Sequence, residues 1–293
     1  MKEKYFSVFD FNKRYKSDED CLQVMQKMRW PNGFICSHCK HDRGYRLHGR
    51  RVIQCVLCKK QTSITAGTIF DKTRIPLLKW FWIIFFVTQD KGGASALRLS
   101  KQLDICFKTT WNILHKLRAA MALRDNEVIK LSTLIQMDEA YFGGKKRKTQ
   151  VLVMVEEEKG RAGNLVMKKI FGQKVASEPG IRAVIAARVD NKSPQHFIAD
   201  CAWAHTAPRK MGHTIQLHKS TPESAIKDLG WLHMAVSLAK TFILGTYHGV
   251  SKKHIQKYLD EFCYRFNRRF KENSIHESLI RACIFASPCA YLC

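Results

Sequence analysis

Apolar positions along the first half of the chain recur at helical spacing. The longest apolar run, residues 80–87, follows Ile75-Pro76 and reads as a buried helix opening at Leu77 and broken by Gly92-Gly93. Residues 94–103 read as a second, short helix, and Asp104-Ile105-Cys106 as a turn. A third helix is predicted from Lys108 to about Met121, because Trp111, Leu114, Leu117 and Met121 recur at three and four. Lys108, Asn112, His115 and Lys116 lie off that stripe. Helix, tight turn, helix with an exposed polar face is the order of a helix-turn-helix.

The pattern changes after Leu134. Leu134, Ile135 and Met137 lead into Asp138-Glu139, as in a buried strand that delivers a carboxylate to its end. Tyr141, Phe142, two glycines and Lys145, Lys146, Arg147 and Lys148 follow. Residues 151–155 form an apolar strand, 156–160 a hairpin-like turn, and 165–167 the start of a return strand. Residues 183–189 read as another strand, and Ser193-Pro194 as the opening of a helix reaching about Asp200. Residues 231–270 read mostly as helix.

Charge adds a partner to this picture. The 293 residues carry 50 Lys and Arg against 25 Asp and Glu, a formal charge of +25. Such an excess on a chain with a real core points to a polyanion, nucleic acid before membrane. Residues 1–20 are charged and lack the apolar stretch of a secretory signal, and no apolar run approaches membrane-spanning length. The expectation is a cytoplasmic protein, in which eleven cysteines do not make a disulfide framework.

Four cysteines are spaced for metal. Cys36-Ser37-His38-Cys39 and Cys55-Val56-Leu57-Cys58 are two CxxC turns separated by fifteen residues. Each turn sets two sulfurs on one side of a knuckle, and two knuckles close a tetrahedron around Zn²⁺. Four protein ligands leave no open position, so the zinc is structural. His38, His41 and His48 are spare nitrogen donors, and Lys40, Arg43, Arg46, Arg50, Arg51, Lys59 and Lys60 give the ribbon a basic face toward phosphate. Cys21, Cys106, Cys201, Cys263, Cys283, Cys289 and Cys293 follow no pairing rule.

The strand-end acid suits a hard divalent cation. Mg²⁺ is held by one or two carboxylates plus substrate phosphates, and Mn²⁺ takes similar ligands. Between Gly245 and Glu272, cations including Lys252, Lys253, Arg268 and Arg269 alternate with Tyr and Phe, which suits a helix lying along DNA backbone.

Together CSHC with CVLC, AGTIFDKTRIPLLKWF, the helix-turn-helix, MDEAYFGGKKRK, GTYHGVSKKH and YLDEFCYRFNRR resemble the zinc-ribbon transposases of bacterial insertion sequences, the ISXO-like group, over roughly residues 15 to 270. The resemblance implies an α+β and α/β multi-domain fold. A zinc-ribbon domain would span 1–70, a helix-turn-helix domain 71–126, an RNase H-like mixed sheet with flanking helices 127–275, and a C-terminal tail 276–293. It also implies transposition, with insertion-sequence ends and target as duplex DNA partners, a homodimer on DNA, and no membrane. Asp138 matches the first catalytic acid. The second would be Asp200, the nearest carboxylate, or Asp190, but no strand is expected there and Asp200 falls at a helix end. In related members a third ligand is often the Asn of a Ser-Asn pair; here the pair is Ser237-Leu238, and Leu cannot ligate Mg²⁺. Two functions follow: a metal-dependent transposase, or a DNA-binding remnant or zinc-ribbon regulator without nuclease activity.

Overall fold

The computed structural model describes residues 5–47, 49–144, 148–170, 178–200, 206–218 and 228–287. The chain divides into two units, Met1–Arg124 with Lys271–Cys293, and Asp125–Phe270. Among the described residues no helix is long and apolar enough to cross a membrane.

The first unit opens with two helices, α1 (Val8–Arg14) and α2 (Asp18–Arg29). Neither stands out as an apolar run, but each begins at a capping box in which Ser7 pairs with Asp10 and Ser17 with Asp20. A three-stranded antiparallel sheet follows, β1 (Gly44–Arg46), β2 (Val52–Cys55) and β3 (Gln61–Ser63), in that order. By pattern alone residues 45–47 and 51–54 suit two short strands, and β1 and β2 form there; β3 is too short and polar to register. Arg29 at the end of α2 donates to the carbonyls of Ser63, Ile64 and Ala66, which ties the little sheet to the helix. Next come α3 (Leu77–Gln89), α4 (Ala96–Leu103) and α5 (Phe107–Val128). The turn between α4 and α5 uses Asp104 in the left-handed region at φ 49°. At 22 residues α5 outruns its apolar stripe, which ends at Met121.

The second unit is a five-stranded mixed sheet. Its strands are β4 (Leu134–Phe142), β5 (Thr149–Glu158) and β6 (Arg161–Lys169), then α6 (Glu178–Arg188), β7 (His196–Asp200), α7 (Ala207–Lys210) and β8 (Thr214–His218). Helices α8 (Gly230–Tyr247) and α9 (Ile255–Phe266) complete it. The spatial order is β6-β5-β4-β7-β8, with β4, β5 and β6 antiparallel and β7 and β8 parallel to β4. This is the mixed sheet with flanking helices anticipated above, with β4 in the middle. One face packs Ala140, Phe142, Val151, Val153 and Leu165 against Leu232, Val236 and Phe242 of α8 and Leu259 of α9. The other packs Ile135, Met137, Leu152 and Phe197 against Ile181 and Ile185 of α6.

Three expectations are corrected here. Residues 183–188 belong to helix α6, not a strand: Ile181 and Ile185 are buried four residues apart, and the alanines between favour helix, while Val189 past its end only bridges to Leu131. Residues 196–200 are strand β7, not a helix, with Phe197 and Ala199 buried on alternate positions. The hairpin turn is only Lys159-Gly160, both at positive φ, as a two-residue loop requires. Glu156, assigned to that turn, is instead a buried strand residue. Its carboxylate accepts from the Ser132 N–H and hydroxyl and from Asn164. Gly163 leaves room for it, since a Cβ there would stand 2.9 Å from Glu156 Oε2.

Residues 276–285 of the expected C-terminal tail are helical. Helix α10 (Ile275–Phe285) belongs to the first unit and packs on α2 and α3. Its apolar positions Ile275, Leu279, Ile280 and Cys283 are buried. His276 stacks on Phe6 within a cage of Phe11, Tyr15 and Phe85.

Candidate functional site

Asp138 sits in the central strand and Asp200 at the end of its parallel neighbour. The register pairs Leu134 with His196, Ile135 with Phe197, Gln136 with Ile198 and Met137 with Ala199. One step further brings Asp138 level with Asp200 on strands about 4.8 Å apart. Side chains alternate along a strand. Ala140 and Phe142 face α8 and α9, and Ile198 packs against the same cluster, so Asp138 and Asp200 project to that face. Both are half-buried. Glu139 points the other way, where its carboxylate accepts from Gln150. The acidic pair of the sequence is therefore split across the sheet, and of the two only Asp138 shares a face with Asp200. Asp138 Oδ1 also accepts the Glu139 N–H at 2.6 Å. Asp190, the alternative second acid, caps the loop before β7 by accepting from the Lys192 N–H.

Pattern reading passed over Gln136, which fixes the start of α8 on this face of the sheet. It is buried, two residues before Asp138 on the same face. Its side-chain carbonyl accepts the Leu232 N–H in the first turn of α8 at 3.0 Å, and its amide donates to Glu157 at 3.1 Å. The signal was one amide within the apolar lead-in from Leu134 to Met137. Over the sheet, α8 presents Leu232, Ala235, Val236, Ala239 and Phe242, and its sequence contains no Asp or Glu. Two carboxylates on one face fit a single hard cation completed by water and phosphate oxygens.

The zinc cysteines come together. The ligand atoms of Cys36, Cys39, Cys55 and Cys58 all lie within 4.8 Å of one another. Cys36 and Cys58 sulfurs are 3.6 Å apart, and those of Cys39 and Cys55 3.5 Å. A tetrahedron with Zn–S bonds of about 2.3 Å has edges of about 3.8 Å, so the set fits the ion. Two matching turns build it. The Lys40 N–H reaches back to the Cys36 carbonyl and the Lys59 N–H to that of Cys55, with both lysines left-handed at φ 61° and 58°. Backbone N–H groups of Cys39 and His38 aim at the Cys36 sulfur and lower its pKa to about 6, which favours the thiolate that binds metal.

The predicted DNA contacts divide. Lys108, Asn112, Lys252 and Lys253 are exposed. Lys116 is half-buried over the Trp80 ring, and burial lowers its pKa. His115, expected on the polar face, is buried against Trp111. In the ribbon Arg46 pairs with Glu19 and Arg51 with Asp18, while Lys40, Arg43, Arg50, Lys59 and Lys60 are exposed. Lys145, Lys146 and Arg147 lie outside the described residues.

Arg268 and Arg269 are turned inward. Arg268 pairs with Asp125 at 2.7 Å and stacks on Tyr264, and Arg269 donates to the carbonyls of Gly163 and Ala162. Asn267 beside them accepts the Leu165 N–H and donates to the Leu165 carbonyl, and Gln256 treats Lys169 and Met167 the same way. These side chains satisfy the free edge of β6, so the basic run at the end of α9 closes the sheet instead of meeting phosphate.

Comparison with known proteins bears on the family of the chain. Residues 16–61 match the transposase zinc-ribbon domain, and residues 130–267 match the ISXO2-like transposase domain. An uncharacterized protein in transposable element ISH50 of Halobacterium salinarum is 28% identical over 133 residues, 44% of this chain and 43% of that protein. The match thus spans less than half of that relative's length. Among solved structures, the Mos1 transposase catalytic domain with Raltegravir and Mn is 18% identical, covering 57% of this chain and 92% of that one, at a TM-score of 0.29. A chain of a simian T-cell lymphotropic virus intasome bound to PP2A regulatory subunit B56 gamma is 14% identical, covering 61% and 64%, at a TM-score of 0.31. TM-scores this low establish nothing by themselves. The two domain matches, in one chain and in this order, take in more than half of its residues, and the chain belongs to the zinc-ribbon, ISXO2-like transposase family.

Proposed function

We propose that this chain cuts and joins DNA strands at the ends of a bacterial insertion sequence, in the cytoplasm, acting as a homodimer on duplex DNA. The observation that carries the reading is the parallel register of β4 and β7, which brings Asp138, in the middle of β4 and not at its end as expected, level with Asp200 at the end of β7 on one face. Asp138 and Asp200 would hold Mg²⁺ or Mn²⁺. Bound there, such an ion neutralises phosphate charge and lowers the pKa of bound water. The two carboxylates fix where the scissile phosphate docks, while exposed cations, among them Lys252 and Lys253 before α9, neutralise flanking phosphates. The zinc ribbon and the helix pair α4–α5, read as a helix-turn-helix, supply end recognition.

A second reading is favoured by α8, which packs on the same face of the sheet with no carboxylate of its own and has Leu238 where related members often carry Asn. A two-metal clamp on attacking and leaving oxygens takes more ligands than Asp138 and Asp200 provide. On that reading the chain binds ends but does not cut them. A cleavage assay on end DNA with Mg²⁺ or Mn²⁺ separates the two: cutting that depends on both Asp138 and Asp200 supports the first, and specific binding without cutting supports the second.

A further inference from the structure

Helix α5 is packed along most of its length but not at its start. Leu114, His115, Leu117 and Arg118 are all buried. Phe107, Lys108 and Asn112 are exposed, and Phe107, the first helical residue, is 52% exposed. At 3.6 residues per turn these three fall within an arc of about 140°. A large aromatic standing in solvent at a helix start, beside a cation and an amide, has no packing explanation. The same trio has the chemistry to read DNA: an apolar surface for the thymine methyl, a cation for phosphate or guanine, and an amide that pairs with adenine through two hydrogen bonds. A recognition helix enters the major groove by its N-terminal residues, and at that end of α5, just after the turn at Asp104, Cys106, Phe107 and Lys108 are all exposed. Lys101 and Gln102 on α4 are exposed as well, and the cation adds to the positive charge of this end.

We propose that Phe107 is a specificity-determining residue that contacts a thymine 5-methyl group in the major groove, with Asn112 reading a nearby adenine. The proposal rests on the helix-turn-helix reading of α4 and α5. The test uses full-length, zinc-loaded protein and a random duplex DNA library. Wild type selects a site, and each thymine of that site is then replaced by uracil, which lacks only the methyl. At one position, uracil is expected to weaken wild-type binding roughly tenfold, the cost of one lost base contact. Phe107→Ala should bind the thymine site about as weakly and no longer distinguish thymine from uracil there, while keeping its preferences elsewhere. Lys108→Ala serves as the contrast, weakening all sequences alike and flattening the salt dependence. Zinc content and thermal unfolding check that each variant folds. If Phe107→Ala distinguishes thymine from uracil as wild type does at every position, the proposal is wrong although the helix-turn-helix reading stands. If wild type selects no sequence, that reading falls and the proposal with it.

Discussion

Single residues carry the sharpest physical consequences. His276 is buried in an aromatic cage, and among the described residues neither ring nitrogen has a hydrogen-bond partner. Desolvation holds its pKa down at about 3, against an ordinary 6.5. The unfolded chain therefore binds the proton more readily. Stability that is fully present above pH 6.5 is lost as pH falls through that range toward 3, by an amount on the order of 4 kcal/mol. His276→Phe keeps a planar ring in the cage and removes the titration. Its melting temperature should fall less than that of wild type between pH 7 and pH 4; parallel decline of the two proteins would refute the assignment. At the ribbon, Cys55→Ser removes one of four ligands. It should release the zinc and unfold residues 36–61 while the second unit keeps its cooperative transition. Metal analysis of both proteins, purified without chelators, reads this directly, and wild-type protein without zinc would sink it.

Elements show what local pattern can and cannot reach. The side chains of Gln256, Asn267 and Arg269 close the edge of β6, and Asn267 alone satisfies both backbone groups of Leu165. Asn267→Ala should cost roughly 1–3 kcal/mol in denaturant unfolding of the second unit, because a buried donor and acceptor lose their partners. Arg268→Ala should likewise lower stability without changing the salt dependence of DNA binding. Lys252→Ala should do the reverse and reduce the slope of log K against log salt by about one. These opposite outcomes follow from burial, which charge spacing does not reveal. The zinc cysteines were legible because CxxC spacing is a local geometric requirement. Asp138 was legible because β4 is nine residues long and strongly apolar before it. Strand β7 was hidden: it has five residues, follows a Ser-Pro that also opens helices, and gains its strand identity from β4, some 60 positions earlier in the chain. The pairing of Asp138 with Asp200 was therefore invisible to a local reading, although both residues were named. Helix α6 was misread because its run of Ala, Val and Ile satisfies either period when taken seven residues at a time.

For the whole molecule, a formal charge of +25 makes DNA affinity large and steeply salt-dependent, while, among the described residues, the register of β4 and β7 brings Asp138 and Asp200 together for the chemistry. Ample binding with a sparse metal site predicts an enzyme that holds its ends firmly and cuts them slowly. The most direct test is nicking of a supercoiled plasmid carrying the element's ends, in Mg²⁺ or Mn²⁺, by wild type and by Asp138→Ala, Asp200→Ala and Glu139→Ala. The prediction is slow, metal-dependent nicking by wild type and Glu139→Ala, with nicking lost in Asp138→Ala and Asp200→Ala at unchanged DNA affinity. Nicking that persists in Asp200→Ala, or wild-type protein that binds the ends and cuts in neither metal, would contradict the paired-carboxylate site.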